Sequence, residues 1–462
     1  MRLTPELIKN LVNLLGGDSV LTGASDLAVY GVDGTTHCKG HPEVVVFPSS
    51  VDQIAEIMAL SDAHEIPVTV RGAGTSLSGG PVPVAGGIVL CTTRMNRIVN
   101  IDRENFTVKV EVGVVLNNLN QALAREKLFF PPDPQSFLAA TVGGCVSENA
   151  GGPYAVKYGV FKHYLLGVTA VLPSGAIVNL GGNTMKNVTG YDLPQILCGA
   201  EGTLAVIADV TLRLLPLPQA KSTVLAIFDQ VMTAGKAVHA VRSSGVMPAK
   251  IELMDNWVVH RIEERIPLGI PLTAEAILLF EMDGSRENVA QETKAVIELC
   301  EQAGAVEVRA ARDEAEANTF WTARRAGFSA VFSASPTVLA EDVTVPTNRI
   351  ADQIAHTKKQ CRDYGLTIPI IGHAGDGNLH PCILTDRNDA THCALAQKAA
   401  GELFDNALAL GGAISGEHGI GLEKQKYLKK AMSPDAIGLL KGIKAAFDPN
   451  GLLNPGKIWE PS

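Results

Sequence analysis

The stretch His373-Ala-Gly-Asp-Gly-Asn-Leu-His380 sets two imidazoles on either side of a turn made by Gly375, Asp376, Gly377 and Asn378. The apolar run Thr367–Ile371 before it reads as a strand, so the two rings converge near the base of the turn. Paired imidazoles can chelate a divalent cation. Farther on, Ser415-Gly416-Glu417-His418-Gly419 supplies a carboxylate and a third imidazole between glycines. Two His and one Glu, with other positions left open, is the donor set of a catalytic rather than a structural metal site. A hydrogen-bonded core pair of histidines is the commoner arrangement, and Asp376 between two glycines is most simply a turn former.

A second kind of chemistry is written in glycine. Arg71-Gly-Ala-Gly-Thr-Ser-Leu-Ser-Gly-Gly80 follows a β-branched run, Val68–Val70. Gly72, Gly74, Gly79 and Gly80 let backbone N–H groups come close to a diphosphate, and Thr75, Ser76 and Ser78 add hydroxyls. A dinucleotide fingerprint of the Rossmann type would open a helix next. Pro81 and Pro83 forbid one, and the Gly-Lys-Ser/Thr of a Walker loop is absent. A cluster of surface turns explains the glycines equally well when they are taken alone. Two further segments change the balance. Pro131-Pro132-Asp133-Pro134 makes a rigid turn, and Thr141, Val142, Gly143 and Gly144 then start a second backbone-lined loop that Asn149, Gly151 and Gly152 continue. Cys198–Ile207, CGAEGTLAVI, puts Glu201 and Gly202 before a strand. Several such loops around one site suit an extended dinucleotide.

Taken together, RGAGTSLSGG, PPDPxxxxxATVGG, GxEGTLxVI, HxGDGNLH and SGEHG resemble the FAD-linked 2-hydroxyacid dehydrogenases. These belong to the vanillyl-alcohol oxidase superfamily and include the glycolate oxidase flavin subunit and FAD-dependent D-lactate dehydrogenases. The resemblance runs from about Pro42 to Ile458. It implies an α+β fold, with a two-part FAD-binding domain of the vanillyl-alcohol oxidase type and a ferredoxin-like antiparallel-sheet cap. It implies that Arg71, Gly72, Ala73, Gly74, Thr75, Ser76, Ser78 and Gly79 cradle the pyrophosphate. Pro132, Asp133, Thr141, Gly144, Asn149, Gly151, Glu201, Gly202 and Ile207 are then expected along the flavin, joined by Asn454 from the terminal segment Phe447–Trp459. Carried over by motif, His373, His380 and Glu417 bind a divalent metal (Zn, Mn or Fe) and His418 is the base. Arg324, three residues after Trp321, clamps the substrate carboxylate. Adjacent helical residues point about 100° apart, so only one of Arg324 and Arg325 is expected inside.

Two departures bear on the cofactor and the substrate. Relatives with covalent flavin usually carry a histidine in the first glycine loop; Thr75 and its neighbours offer none, so FAD is expected to be non-covalent. His163 reads as a surface or packing histidine. The 2-hydroxyglutarate branch has a lysine just before its Glu-Asp pair, where this chain has Ala340, and Leu-Asn after the second metal histidine, where this chain has Pro381-Cys382. Both favour a small substrate, D-lactate or glycolate. The alternatives are D-2-hydroxyglutarate oxidation, an oxidase using O₂, an enzyme for a larger alcohol, or a non-catalytic flavin relay subunit. Electrons are expected to leave to an electron-transferring flavoprotein, an iron–sulfur partner or a quinone.

The elements that must position these groups fall into blocks. Strand–helix–strand over Val44–Val70, then further strands to Leu214, make the first, ending at Leu215-Pro216-Leu217-Pro218. The rhythm after Ser222 is β-α-β-β-α-β. The expected domains are 1–217 for FAD, 218–411 for the cap, and 412–462 returning to the FAD domain. Composition agrees with a buried globular chain: 462 residues, 46% hydrophobic, 45 glycines. A net charge of −9 with few aromatics disfavours nucleic acid. The eight cysteines lack a CxxC pair, as for reduced cytosolic thiols rather than an iron–sulfur or zinc site. The start reads as an amphipathic helix (Leu7, Ile8, Leu11, Leu14, Leu15), not a secretion signal. The expected location is cytoplasmic, or peripheral to the inner membrane face through a partner. Self-association is left open.

Overall fold

The computed structural model of the chain describes residues 3–35 and 38–460. The chain divides into two compact units. The first comprises residues 1–150, 160–217 and 417–462; the second comprises 151–159 and 218–416. The chain therefore changes unit at Leu217/Pro218, at the two-proline run. It changes again at Gly416/Glu417, within the SGEHG motif. The short piece Gly151–Gly159 joins the second unit, and nothing in its composition announces that.

In the first unit, Val44–Val46, Ile88–Cys91 and Val68–Arg71 pair in parallel, and Val20–Leu21 adds an antiparallel edge. Leu453 bridges Val68 in parallel, so the terminal segment comes back beside the strand that feeds the first glycine loop. Strands buried on both faces need near-continuous apolar residues, and VVV and IVLC supply them. The helix Val51–Ala63 starts at Ser50, whose side chain caps Gln53 N–H. Its buried face, Ile54, Ile57 and Met58, shares one core with Leu7 and Leu11 of the helix Pro5–Leu15. A five-stranded antiparallel sheet follows, in the order Ile98–Asp102, Thr107–Glu111, Val206–Arg213, Leu165–Val171, Ile177–Gly181. Val171, Val206 and Ala208 join it to that core.

The second unit holds an eight-stranded sheet. Its first four strands, in spatial order Glu307–Ala310, Ala220–Phe228, Ala276–Gly284 and Lys250–Asp255, are the fourth, first, third and second in sequence. That is the ferredoxin-like order, with one extra helix, Asn256–Glu263. The sheet continues through Ile370–His373 and Asn378–Thr385 to Thr337–Ala340. The β-branched run Val338–Val345 forms two strand pieces, Thr337–Ala340 and Val343–Thr344, broken at Glu341-Asp342. Thr141–Gly152, read as a loop, contains the helix Val142–Glu148. Thr141 caps it through Gly144 N–H, and Asn149 ends it in the left-handed conformation. Two glycines in its first turn hide this helix from a propensity reading. Among the described residues, no helix is long and apolar enough to cross a membrane.

Candidate flavin and metal site

The first glycine loop packs against the other two flavin elements within its own unit. A Cβ on Gly72 would lie 2.3 Å from Thr141 Oγ1, so the first and second loops touch there. Gly74 has φ +74° and passes over Arg71, whose Nη2 lies 2.0 Å from where a Cβ would be. Arg71 is buried, donates to Val32 carbonyl at 2.6 Å, and faces the Tyr30 ring. Gly79 N–H donates to Asp33 Oδ2 at 2.9 Å. Asn454 Nδ2 donates to the carbonyls of Gly80 (3.0 Å) and Glu201 (2.8 Å), which ties the terminal segment to the first and third elements at once.

Glu201 itself has φ +51°. Its carboxylate accepts from the backbone N–H groups of Ile420 (2.8 Å) and Gly421 (2.7 Å). Its side chain thus fixes the segment just after His418. Gly202 follows at φ +67°, and Ile207 is buried in the sheet. Asn149 uses Oδ1 to accept from Lys162 N–H at 3.0 Å, a structural role. Ala73 is exposed, Thr75, Ser76 and Asp133 half-buried, Ser78 and Pro132 buried. Gly151 belongs to the second unit, apart from the other expected flavin residues. His163 accepts from Val160 N–H through Nδ1 at 3.1 Å and closes a short helical turn. These loops fit an FAD: glycines stand where a side chain would collide with a neighbouring loop, so backbone comes close to backbone there.

In the second unit, strand register builds a polar strip on one face of the sheet. Residues opposite one another across strands share a face. Thr223 pairs Glu281, and Glu281 pairs Lys250. Glu252, two residues on, pairs His373, which pairs Asn378; His380 pairs Ile371 on the same side. The His373 and His380 rings stand edge to face, 5.1 Å between centroids, and both are buried. The hairpin brings them together as the spacing predicts.

Two acids that sequence reading passed over stand behind these rings. Glu252 Oε1 lies 2.8 Å from His373 Nδ1, and Asp342 Oδ1 lies 3.9 Å from His380 Nδ1. The carboxylate on His373 Nδ1 fixes that ring and leaves its Nε2 as the coordinating nitrogen. Asp342 also accepts from Asn378 Nδ2 (2.6 Å), Ser415 Oγ (2.7 Å) and Gly416 N–H (2.9 Å). Gly416 needs its missing side chain, since a Cβ would lie 2.4 Å from Asn378 Nδ2. Covalent continuity alone then carries the chain from that anchor into Glu417 and His418. A charged residue inside the apolar strand KIELMD was the available signal for Glu252; the break in a β-branched run was the signal for Asp342.

Arg324 is buried and Arg325 exposed on the helix Glu314–Phe332, so one of the two points inward. The carboxylate that Arg324 meets in the structure is Glu252 Oε2, at 2.8 Å from Nε and 2.5 Å from Nη2. Glu252 is thus shared by Arg324 and His373. Burial pushes its pKa up, but the interactions with His373 and Arg324 outweigh burial and hold it below the usual value. Ala340 pairs Cys382 across the sheet, so two positions expected to bear on substrate size are neighbours. These donors, two buried imidazoles with Glu252 hydrogen-bonded to the first, fit a borderline divalent metal.

A family model described as FAD binding domain matches residues 42–181, and one described as FAD linked oxidases, C-terminal domain matches 217–458. The glycolate oxidase subunit GlcD of Bacillus subtilis (strain 168) is 36% identical over 99% of this chain and 97% of its own length. The D-lactate dehydrogenase of Anaerostipes hadrus is 36% identical over 99% of this chain and 98% of its own. Among solved structures, p-cresol methylhydroxylase matches with a TM-score of 0.79 at 19% identity, covering 98% of this chain and 96% of that one. The 4-ethylphenol oxidase of Gulosibacter chungangensis matches with a TM-score of 0.79 at 18% identity, covering 98% and 97%. The last two speak to the fold alone, which is that of the vanillyl-alcohol oxidase type. With both halves of the chain matched and full-length relatives at this identity, the protein belongs to the FAD-linked oxidases and is an FAD-dependent oxidoreductase.

Proposed function

We propose that the protein oxidises a small D-2-hydroxy acid, D-lactate or glycolate, to the 2-oxo acid. The buried His373–His380 pair, with Glu252 on the Nδ1 side of one ring, carries this reading. The names of the relatives, glycolate oxidase subunit and D-lactate dehydrogenase, point to the same substrate class. FAD, when bound, supplies the hydride acceptor, and a divalent metal (Zn, Mn or Fe) supplies a Lewis acid that lowers the pKa of the substrate hydroxyl. His373, His380 and Glu417 hold that metal. His418 takes the hydroxyl proton as the carbon gives up its hydride. Arg324 offers the substrate carboxylate its Nη1 edge, because Glu252 takes the Nε–Nη2 edge. Arg71 to Gly79, Pro132, Asp133, Thr141, Gly144, Glu201, Gly202, Ile207 and Asn454 hold the FAD without a covalent bond.

The electrons pass to a separate acceptor: an electron-transferring flavoprotein, an iron–sulfur subunit or a quinone. That a relative is named as a subunit supports a protein partner. Elemental analysis tests the metal half of the reading. One divalent metal per chain is expected, lost in His373→Ala and in His380→Ala with FAD retained. Active protein free of stoichiometric metal would overturn it.

A further inference from the structure

Glu148, the last residue of the helix Val142–Glu148, has no part in the chemistry above. Its carboxyl lies where all three flavin elements and the returning segment meet. Oε1 lies 3.0 Å from where a Cβ on Gly80 would be, and Ser76 Oγ of the first glycine loop lies 3.5 Å from that same point. Oε2 lies 2.5 Å from the corresponding point on Gly419, and Glu201 Oε1 lies 3.1 Å from that same point. Glu148 Oε2 is buried and makes no hydrogen bond among the described residues. Two acids therefore crowd Gly419, the residue after His418, and they are unequally served. Glu201 accepts two backbone N–H bonds, from Ile420 and Gly421. Glu148 has the Ser76 hydroxyl near it.

The charges facing Glu148 are Glu201, Asp33 and Lys424. The Cys145 thiol, pushed up to about 12 chiefly by its own burial and further by Glu148, stays neutral. Two anions against one cation, in a buried place, disfavour a third anion. Burial and then the Glu201 charge push the Glu148 carboxyl well above the ordinary range, against the weaker pull of Ser76 and Lys424.

We propose that Glu148 is a neutral carboxylic acid in the FAD-loaded protein and a positioning residue for the cofactor, its uncharged carboxyl joining Ser76 of the phosphate-holding loop to Gly419 beside His418. An ionised Glu148 would set a carboxylate against the loop that carries the FAD phosphates. A neutral one keeps that loop anion-accepting and gives the unpartnered Oε2 a proton to donate. The inference rests on the reading that this loop holds the phosphates.

The test uses the full chain loaded with FAD. Glu148→Gln keeps the size, the neutrality and a donor; Glu148→Ala removes all three. The expected FAD Kd stays within about threefold of the parent in Glu148→Gln and rises about tenfold or more in Glu148→Ala, a difference of about 1.4 kcal/mol per tenfold. The parent's FAD affinity falls on going from neutral to alkaline pH, and that of Glu148→Gln falls less. Infrared spectroscopy of the parent shows a protonated-carboxylic-acid carbonyl band that Glu148→Gln lacks. Loss of FAD in Glu148→Gln equal to that in Glu148→Ala, or an unchanged infrared carboxylic band, overturns the proposal. Thr75→Glu, at a half-buried loop position, checks the underlying reading separately. It is expected to expel FAD by charge alone; if FAD stays bound, the loop does not hold the phosphates and the proposal falls with it.

Discussion

Replacing Glu252 by Ala is the sharpest perturbation the second unit offers. Glu252 is fully buried and is held between the Arg324 guanidinium, at 2.8 and 2.5 Å, and His373 Nδ1, at 2.8 Å. The Arg324 side chain is 5% exposed. Truncation leaves that cation buried with its partner gone, which costs about 3–5 kcal/mol. In a unit of this size each kcal/mol lowers Tm by about 2–4 °C, so the expected drop is about 6–20 °C. Glu252→Ala should also weaken metal binding about 10–100-fold, because His373 loses the carboxylate that orients it. The assay is thermal unfolding with and without chelator, beside a metal-binding titration. Arg324→Met in the same background removes the stranded charge and should recover most of the lost stability. A stability change below about 1 kcal/mol, in the range of exposed pairs, would refute the buried-pair argument. So would a double variant no more stable than the single one. The acid side carries a further sign. Glu252 is held below its ordinary pKa, so its stabilisation is complete above the unfolded carboxylate range. It is lost as pH falls through the folded value.

Three other outcomes are expected. His418→Ala keeps FAD and metal but loses about 10²–10⁴-fold in the rate of flavin reduction; stopped-flow at the parental rate would assign the base elsewhere. Lys457, 2% exposed, is lowered to about 8 by burial, against the opposing pull of Glu201. Its unfolded form keeps the proton up to about 10.5, so this group adds stability as pH rises between the two values, by about 3 kcal/mol in all. Buried cysteines raised to about 12 slope the other way above their ordinary pKa, so the measurement is the difference in urea midpoints between the parent and Lys457→Met against pH. A flat difference contradicts it. Acid precipitation should release all of the flavin, since Thr75 stands where a tethering histidine would be; fluorescence left on the polypeptide would show a covalent link.

Much of the site could be read in the sequence because its parts are local. HAGDGNLH is a hairpin with both histidines at its base, and each glycine loop lies within about ten residues. Local spacing also leaves Arg324 and Arg325 on different faces of one helix. What stayed hidden is non-local. Glu252 reaches His373 only through strand pairing between Lys250–Asp255 and Ile370–His373, residues 121 apart in sequence. Asp342 gathers Asn378 from one segment and Ser415 and Gly416 from another. Arg324, expected to meet a substrate carboxylate, meets Glu252, a contact no helical spacing could reveal. The membership of Gly151–Gly159 in the second unit rests on side chains too. Tyr154 reaches Glu281 at 2.6 Å, and Lys157 and Tyr158 reach Asp283 at 2.6 and 2.8 Å. The helix Val142–Glu148 was masked by glycines that its cap, Thr141, compensates.

Anaerobic titration of the FAD-loaded protein with glycolate, D- and L-lactate and D-2-hydroxyglutarate tests the central claim most directly. A charge count argues for the small acids: a dicarboxylate needs a second cation, the position that would supply one is Ala340, and an unpaired buried carboxylate is costly. Stoichiometric bleaching of the flavin by D-lactate or glycolate, abolished by removing the metal, is the predicted result. Preferential bleaching by D-2-hydroxyglutarate would contradict the substrate assignment, and bleaching by none of the four would contradict 2-hydroxy acid oxidation itself.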